Sequence, residues 1–171
     1  MPEPPLDIAL SPKDSERFGF PIARVFLERE TDLDETDAWC AAQGVRMLIG
    51  RCSTHRIGLA QAMERRGYSL MDTLVYYTRT VQGAPLPTMP EDLEIRPVLP
   101  AEAEQVREVA GRAFSDYISH YHADPRLDPG KCEEVFIDWA YQSCVSREVA
   151  DEVYVADVDG LVRGFATLKV L

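Results

Sequence analysis

Glycine spacing that cradles phosphate is missing from this 171-residue chain, whose ten glycines include no Gly-x-Gly pair. Histidine is scarce, with three in all, and the four cysteines (Cys40, Cys52, Cys132 and Cys144) form no Cys-x-x-Cys pair. No histidine completes a zinc pattern with them. They read as buried free thiols, with Cys132 and Cys144 on one helical face. Basic residues are in deficit: 18 Lys and Arg against 29 Asp and Glu leave a net charge of −11. Such a chain repels phosphate backbones, so nucleic acid is not an expected partner. A polyanionic cofactor stays open, because backbone N–H groups bind phosphate without basic side chains. No apolar run is long enough to span a membrane. The opening Met-Pro-Glu-Pro-Pro lacks the basic and apolar regions of a secretory signal. These absences together predict a cytoplasmic protein with no membrane partner.

What is present suffices for a packed α/β fold, since 46% of the residues are hydrophobic. Asp14 to Phe20 reads as a polar turn ending in aromatics, and Ile22 to Leu27 as a strand. Thr31 or Asp32 can cap a helix running to about Gln43, with Gly44 at its left-handed end. Val45 to Ile49 is a short strand. Thr54 can cap a second helix, which Gly67 stops. Tyr68 to Val81 carries apolar residues on both faces and predicts a long strand. Residues 1–82 therefore read as a small β-α-β-α-β domain. The prolines of 83–91 predict a linker.

Residues 92–171 restart with a strand from Leu93 to Val98 and a helix from Pro100. An aromatic and histidine-rich loop, 115–127, follows. Asp128 then caps a helix with Pro129 in its first turn. Its apolar stripe is Cys132, Val135, Phe136, Trp139, Ala140 and Cys144, and Phe114 and Trp139 read as core residues. The chain closes on two β-rich runs flanking Asp159-Gly160, a strong signal for a two-residue hairpin.

The loop holds the chemistry-bearing side chains. His120, His122 and Asp124 make a weak metal pattern, two histidines and one carboxylate without support. They can instead contact a substrate or carry a proton from an ammonium group, with His122 and Asp124 as the candidate catalytic residues. Otherwise they are solvated loop residues. Tyr117 and Tyr121 can stack on a sugar or a base, or cover the rim of the core. With His120 they are the candidate substrate contacts. Ser53-Thr54-His55 suggests a nucleophile and base, but helix capping explains Thr54 better.

Three stretches carry a family resemblance: Ser15-Glu-Arg-Phe-Gly19; Ala113-Phe114 with Ser119-His-Tyr-His-Ala-Asp-Pro125; and Trp139 with Val153–Ala156 and Gly164-Phe-Ala-Thr-Leu168. They resemble the GNAT (Gcn5-related N-acetyltransferase) superfamily, closest to its dTDP-fucosamine acetyltransferase-like branch. Residues 45–81, with a helix ending Glu64-Arg-Arg-Gly67-Tyr68 before a long strand, resemble the carboxy-terminal arm of such a domain, and residues 1–82 read as a degenerate, non-catalytic acetyltransferase-like α/β domain. The resemblance implies an acyl-CoA N-acyltransferase fold with a mixed sheet. It implies an acetyl-CoA-dependent N-acetyltransferase acting on a small-molecule primary amine, with a nucleotide-linked amino sugar as one acceptor. Leu168, Lys169 and Val170 would then lie against the pantetheine arm, as an added strand does.

The departure from the family follows from the missing glycines. Members continue past the hairpin into a glycine-rich pyrophosphate loop, and the tyrosine that usually protonates the leaving thiolate lies there too. The chain as written stops at Leu171, and 92–171 reads as the amino-terminal half of the fold, incomplete at the cofactor site. A fragment of a longer reading frame is one explanation. A non-catalytic binding or dimerisation module is another, with a second copy in a homodimer, a separate chain or the first part of this chain covering the open strand edge.

Overall fold

The computed structural model describes residues 6–85 and 88–170. It is a mixed α/β protein with two three-stranded sheets and five α-helices among the described residues. The chain divides into two compact units, Met1–Met71 and Asp72–Leu171. The expected linker, 83–91, falls within the second unit, and its Leu86 and Pro87 lie outside the described residues, as do residues 1–5 and Leu171. No helix among the described residues is long and apolar enough to cross a membrane.

The first unit begins with β1 (Asp7–Leu10) and α1 (Pro12–Phe18), followed by β2 (Ile22–Leu27) and α2 (Asp32–Gln43). β3 (Met47–Cys52) and α3 (Ile57–Arg65) complete it. β2 is central, antiparallel to β1 and parallel to β3. The parallel pair needs the crossover that α2 supplies. Val25 and Leu27 of β2 pack with Leu33, Leu59, Ala62 and Met63 of the helices to form the core.

Several local expectations change here. Asp14 to Phe20 is mostly helix rather than turn: Pro12 opens α1 and the Asp14 carboxylate accepts from the Ser11 hydroxyl at 2.7 Å. The Phe18-Gly19 pair closes that helix, with Gly19 at φ 78°. Thr54 does not cap α3. The Ser53 carbonyl and hydroxyl take the N–H groups of Arg56 and His55, so a turn consumes these residues and the helix starts at Ile57. The expected strand over Tyr68 to Val81 is absent: 69–81 forms no strand and pairs with none. β propensity becomes a strand only where an edge accepts it. The unit therefore reads β-α-β-α-β-α.

The second unit contains β4 (Leu93–Pro97), α4 (Ala103–Ala113), α5 (Pro129–Val145), β5 (Glu152–Val158) and β6 (Leu161–Leu168). Its sheet has the order β4-β5-β6 and is wholly antiparallel, not mixed. Asp128 caps α5 as expected, accepting from the Lys131 N–H at 3.0 Å. The hairpin turns at Asp159 and Gly160, whose φ values of 54° and 76° match the turn that Asp-Gly favours. Val106, Val109 and Ala110 of α4 and Ala140 of α5 pack on Val155 and Val162 of the sheet. Among the described residues of this unit, α4 and α5 cover that face. Arg96 ties the sheet to the entry of α4 by bonding Glu102 at 2.6 and 2.8 Å and Asp157 at 2.5 Å.

Candidate functional site

The loop between α4 and α5 is built by its own short-range hydrogen bonds. The backbone N–H of Ser119 donates to His122 Nδ1 at 3.2 Å, and the Ser119 hydroxyl lies 3.0 Å from the same nitrogen. A backbone N–H can only donate, so His122 Nδ1 is the acceptor and a neutral ring carries its proton on Nε2. Asp124 binds elsewhere: its carboxylate accepts from the Arg126 guanidinium at 2.9 Å and from the Arg126 N–H at 3.0 Å. The Arg126 contacts outweigh partial burial and hold the Asp124 carboxyl below the usual carboxylate range. A carboxylate stabilised in its charged form is a weak proton acceptor at neutral pH. His122 and Asp124 thus each have a structural partner of their own.

The expected substrate contacts separate in the same way. Tyr121 is only 2% exposed and belongs to the core. Its ring lies 4.2 Å from that of His120, whose Nδ1 is 3.1 Å from the Asp72 carboxylate. Tyr117 is half exposed and packs edge-on against Phe114 and Phe136 at 5.7 and 5.1 Å. Of the three, Tyr117 presents the most surface to a ligand. Among the described residues no group of histidine, cysteine and acidic side chains could hold a metal ion. The four cysteines are free, and burial pushes the thiol of Cys132 up.

Leu168 is the last residue of β6, and Lys169 and Val170 lie beyond the strand. The Leu168 carbonyl accepts from the Asp151 N–H at 2.9 Å, and the Val170 N–H donates to the Asp151 carboxylate at 2.7 Å. The Lys169 ammonium donates to the Arg147 carbonyl at 3.2 Å and lies 3.3 Å from Asp151. Strand-like pairing with a pantetheine arm needs such backbone groups available. Here Asp151 engages the Leu168 carbonyl and the Val170 N–H.

A different part of the second unit carries an open, mostly apolar cleft. An open cleft of about 470 Å³ is lined by Val109, Ala113, Phe114, Trp139 and the β6 stretch 163–165 with Thr167. That volume lies within the range of small-molecule pockets. α4 and α5 supply apolar walls, and β6 supplies the floor. Trp139, expected in the core, is 42% exposed and forms one wall. It falls on the apolar stripe of α5, but the neighbouring elements leave its indole uncovered.

Arg163 is the charged member of the lining, and its place follows from an irregularity in the sheet. Ala156 pairs with Gly164 and Asp157 with Val162, so Arg163 is the extra residue of a bulge in β6. Bulges re-aim a side chain relative to regular pairing. Arg163 makes no ion pair among the described residues, unlike Arg96 of β4. The cleft therefore joins an exposed indole, two phenylalanines, one hydroxyl and one available guanidinium. The period-two pattern around Asp159-Gly160 carries no sign of the bulge, so Arg163 was not legible as a site residue. Comparison with protein-family models, with curated proteins and with solved structures gives no match.

Proposed function

We propose that the second unit is a small-molecule-binding module of the N-acetyltransferase kind, taking a nucleotide-linked amino sugar as its ligand. The observation that carries this reading is the cleft over β6, with Trp139 on one wall and Arg163 available for an anion. A sugar or base has an apolar face that packs on an indole, and a guanidinium binds diphosphate oxygens in a fork. The chain's net charge of −11 makes an available arginine in an apolar cleft a local exception. The order of elements from β4 to β6, one strand, two helices and an antiparallel hairpin, supports the lineage that the sequence resembles.

The same resemblance implies acetyl-CoA, and the residues around 168–170 do not fit it. The Leu168 carbonyl and the Val170 N–H are already engaged by Asp151. No acyl-transfer step is therefore assigned to these side chains. The function read from the geometry is recognition: Trp139 and Phe114 hold the apolar body, Arg163 holds the anionic part, and Thr167 offers a hydroxyl.

Isothermal titration of the full chain with a nucleoside-diphosphate amino sugar tests the reading. Saturable binding is expected, weakened about tenfold to a hundredfold by Arg163→Gln through loss of a charge-assisted contact. Absence of binding, or equal binding by the variant, contradicts it. Acetyl-CoA is expected to give no saturable heat.

A further inference from the structure

One buried carboxylate of the second unit has two arginines to choose from, and only one of them holds it. The buried residues of β5 alternate as Val153, Val155 and Asp157. Asp157 thus occupies a core-facing position and is 8% exposed. A buried carboxylate is costly unless its oxygens are bonded. One oxygen accepts from the Arg96 guanidinium at 2.5 Å, and the other accepts from the Gly160 N–H at 2.8 Å. Arg96 also bonds Glu102, itself buried, so one guanidinium serves two carboxylates. This cluster keeps one negative charge in excess.

Arg163 stands beside the cluster in the sheet. Asp157 pairs with Val162, and Arg163 follows Val162 as the extra residue of the bulge. Opposed residues of an antiparallel pair lie about 5 Å apart, so a long side chain one residue further on can reach the same carboxylate. Arg163 lines the cleft instead. Arg96 takes Asp157 because two bonds to Glu102, at 2.6 and 2.8 Å, already fix its guanidinium as a fork. Capture by Arg163 would add the cost of ordering another long side chain.

We propose that Arg96 is a positioning residue for the cleft: by occupying Asp157 it leaves the Arg163 guanidinium to the ligand. Arg96 does not line the cleft and acts through Arg163. The effect on affinity rests on the ligand reading given above, whereas the competition between the two arginines does not.

Calorimetric titration of the full chain with a nucleoside-diphosphate amino sugar tests the first part. Arg96→Met keeps an apolar stem and removes the guanidinium. It is expected to weaken binding about tenfold, because the freed Asp157 draws Arg163 out of the cleft. Adding Asp157→Asn removes that attraction and is expected to restore the parent's affinity. Glu102→Ala disturbs the same cluster but leaves Asp157 with Arg96, so its affinity is expected to stay within about twofold of the parent. A merely structural role would weaken Glu102→Ala as well. Should Arg96→Met fail to fold, Arg96→Lys retains a cation without the fork and is expected to shift affinity in the same direction.

Urea unfolding reads the competition without ligand. Arg163→Gln is expected to leave the parent's stability unchanged. In the Arg96→Met or Arg96→Lys background it is expected to raise the unfolding equilibrium constant about fivefold, because the guanidinium then has a partner to lose. That coupling, found in a parent that binds no ligand, would uphold the competition and refute the ligand reading of the cleft. Absence of the coupling overturns the proposal. So does ligand binding by the parent that both Arg96 variants leave unchanged.

Discussion

Glu102 shows how much one side chain can hold together. Its carboxylate accepts from Arg96 and caps the Leu99 N–H at 2.8 Å at the entry to the 3-10 turn Pro100–Glu102. The Arg96 contact, then the Leu99 N–H, lowers its pKa from an ordinary 4.5 to about 2. A depressed folded-state value means the unfolded chain binds the proton more readily. The stabilisation is therefore complete above about pH 4.5 and is lost as the pH falls towards 2. Glu102→Ala is expected to cost about 2 kcal/mol at neutral pH, and the difference from the parent should vanish in acid. Urea titrations across that window measure it. A pH-independent difference would show that Glu102 acts through packing and not through its charge. The same scale holds the two side chains that sequence reasoning did not place in a site. Trp139 sits at a core spacing of α5 yet lacks cover, and Arg163 owes its position to pairing across the sheet. Neither circumstance is local to the sequence around it.

At the scale of elements, the sequence was most legible where a single residue decides the backbone. Gly44, with φ 63°, ends α2 where a left-handed residue was expected, and Asp128-Pro129 opens α5. Asp159-Gly160 turns the hairpin with Leu161 opposite Val158. Legibility failed where pairing decides. Tyr68 to Val81 has the composition of a strand, but it pairs with no strand among the described residues. α1 was hidden because seven residues are too few to show a helical period. Glycines separate the two kinds of constraint. Gly160 has φ 76°, so Gly160→Ala strains the turn and is expected to cost about 1 kcal/mol. Gly164 has no positive φ, and an added Cβ would meet only Ala156 at an ordinary 3.6 Å. Gly164→Ala is therefore expected to stay within about 0.5 kcal/mol of the parent. Equal losses in the two variants, measured by urea unfolding, would contradict this account of the hairpin.

The whole molecule consists of two small units, each with a core of its own. The first buries Val25 and Leu27 of its central strand, and the second buries Val155 and Val162 beneath α4 and α5. The second unit keeps one sheet face bare and an aromatic cleft open on the other side. Small folds with one uncovered layer need something to cover it. The ligand proposed for the cleft answers that need on the side of the helices. The loop residues His122 and Asp124 are tied to Ser119 and Arg126 and are not among the residues that line the cleft. Recognition, more than proton transfer, is what this arrangement is suited to.

The central claim is that a ligand lies against Trp139, and intrinsic fluorescence tests it most directly. The chain has two tryptophans, Trp39 and Trp139, so Trp39→Phe leaves the cleft indole as the only tryptophan reporter. Titration of that variant with a nucleoside-diphosphate amino sugar is expected to give a saturable change in Trp139 emission. Adding Arg163→Gln should shift the curve to higher ligand concentration without altering its end point. An emission spectrum that stays unchanged, while calorimetry records binding, would place the ligand elsewhere on the molecule and contradict the account.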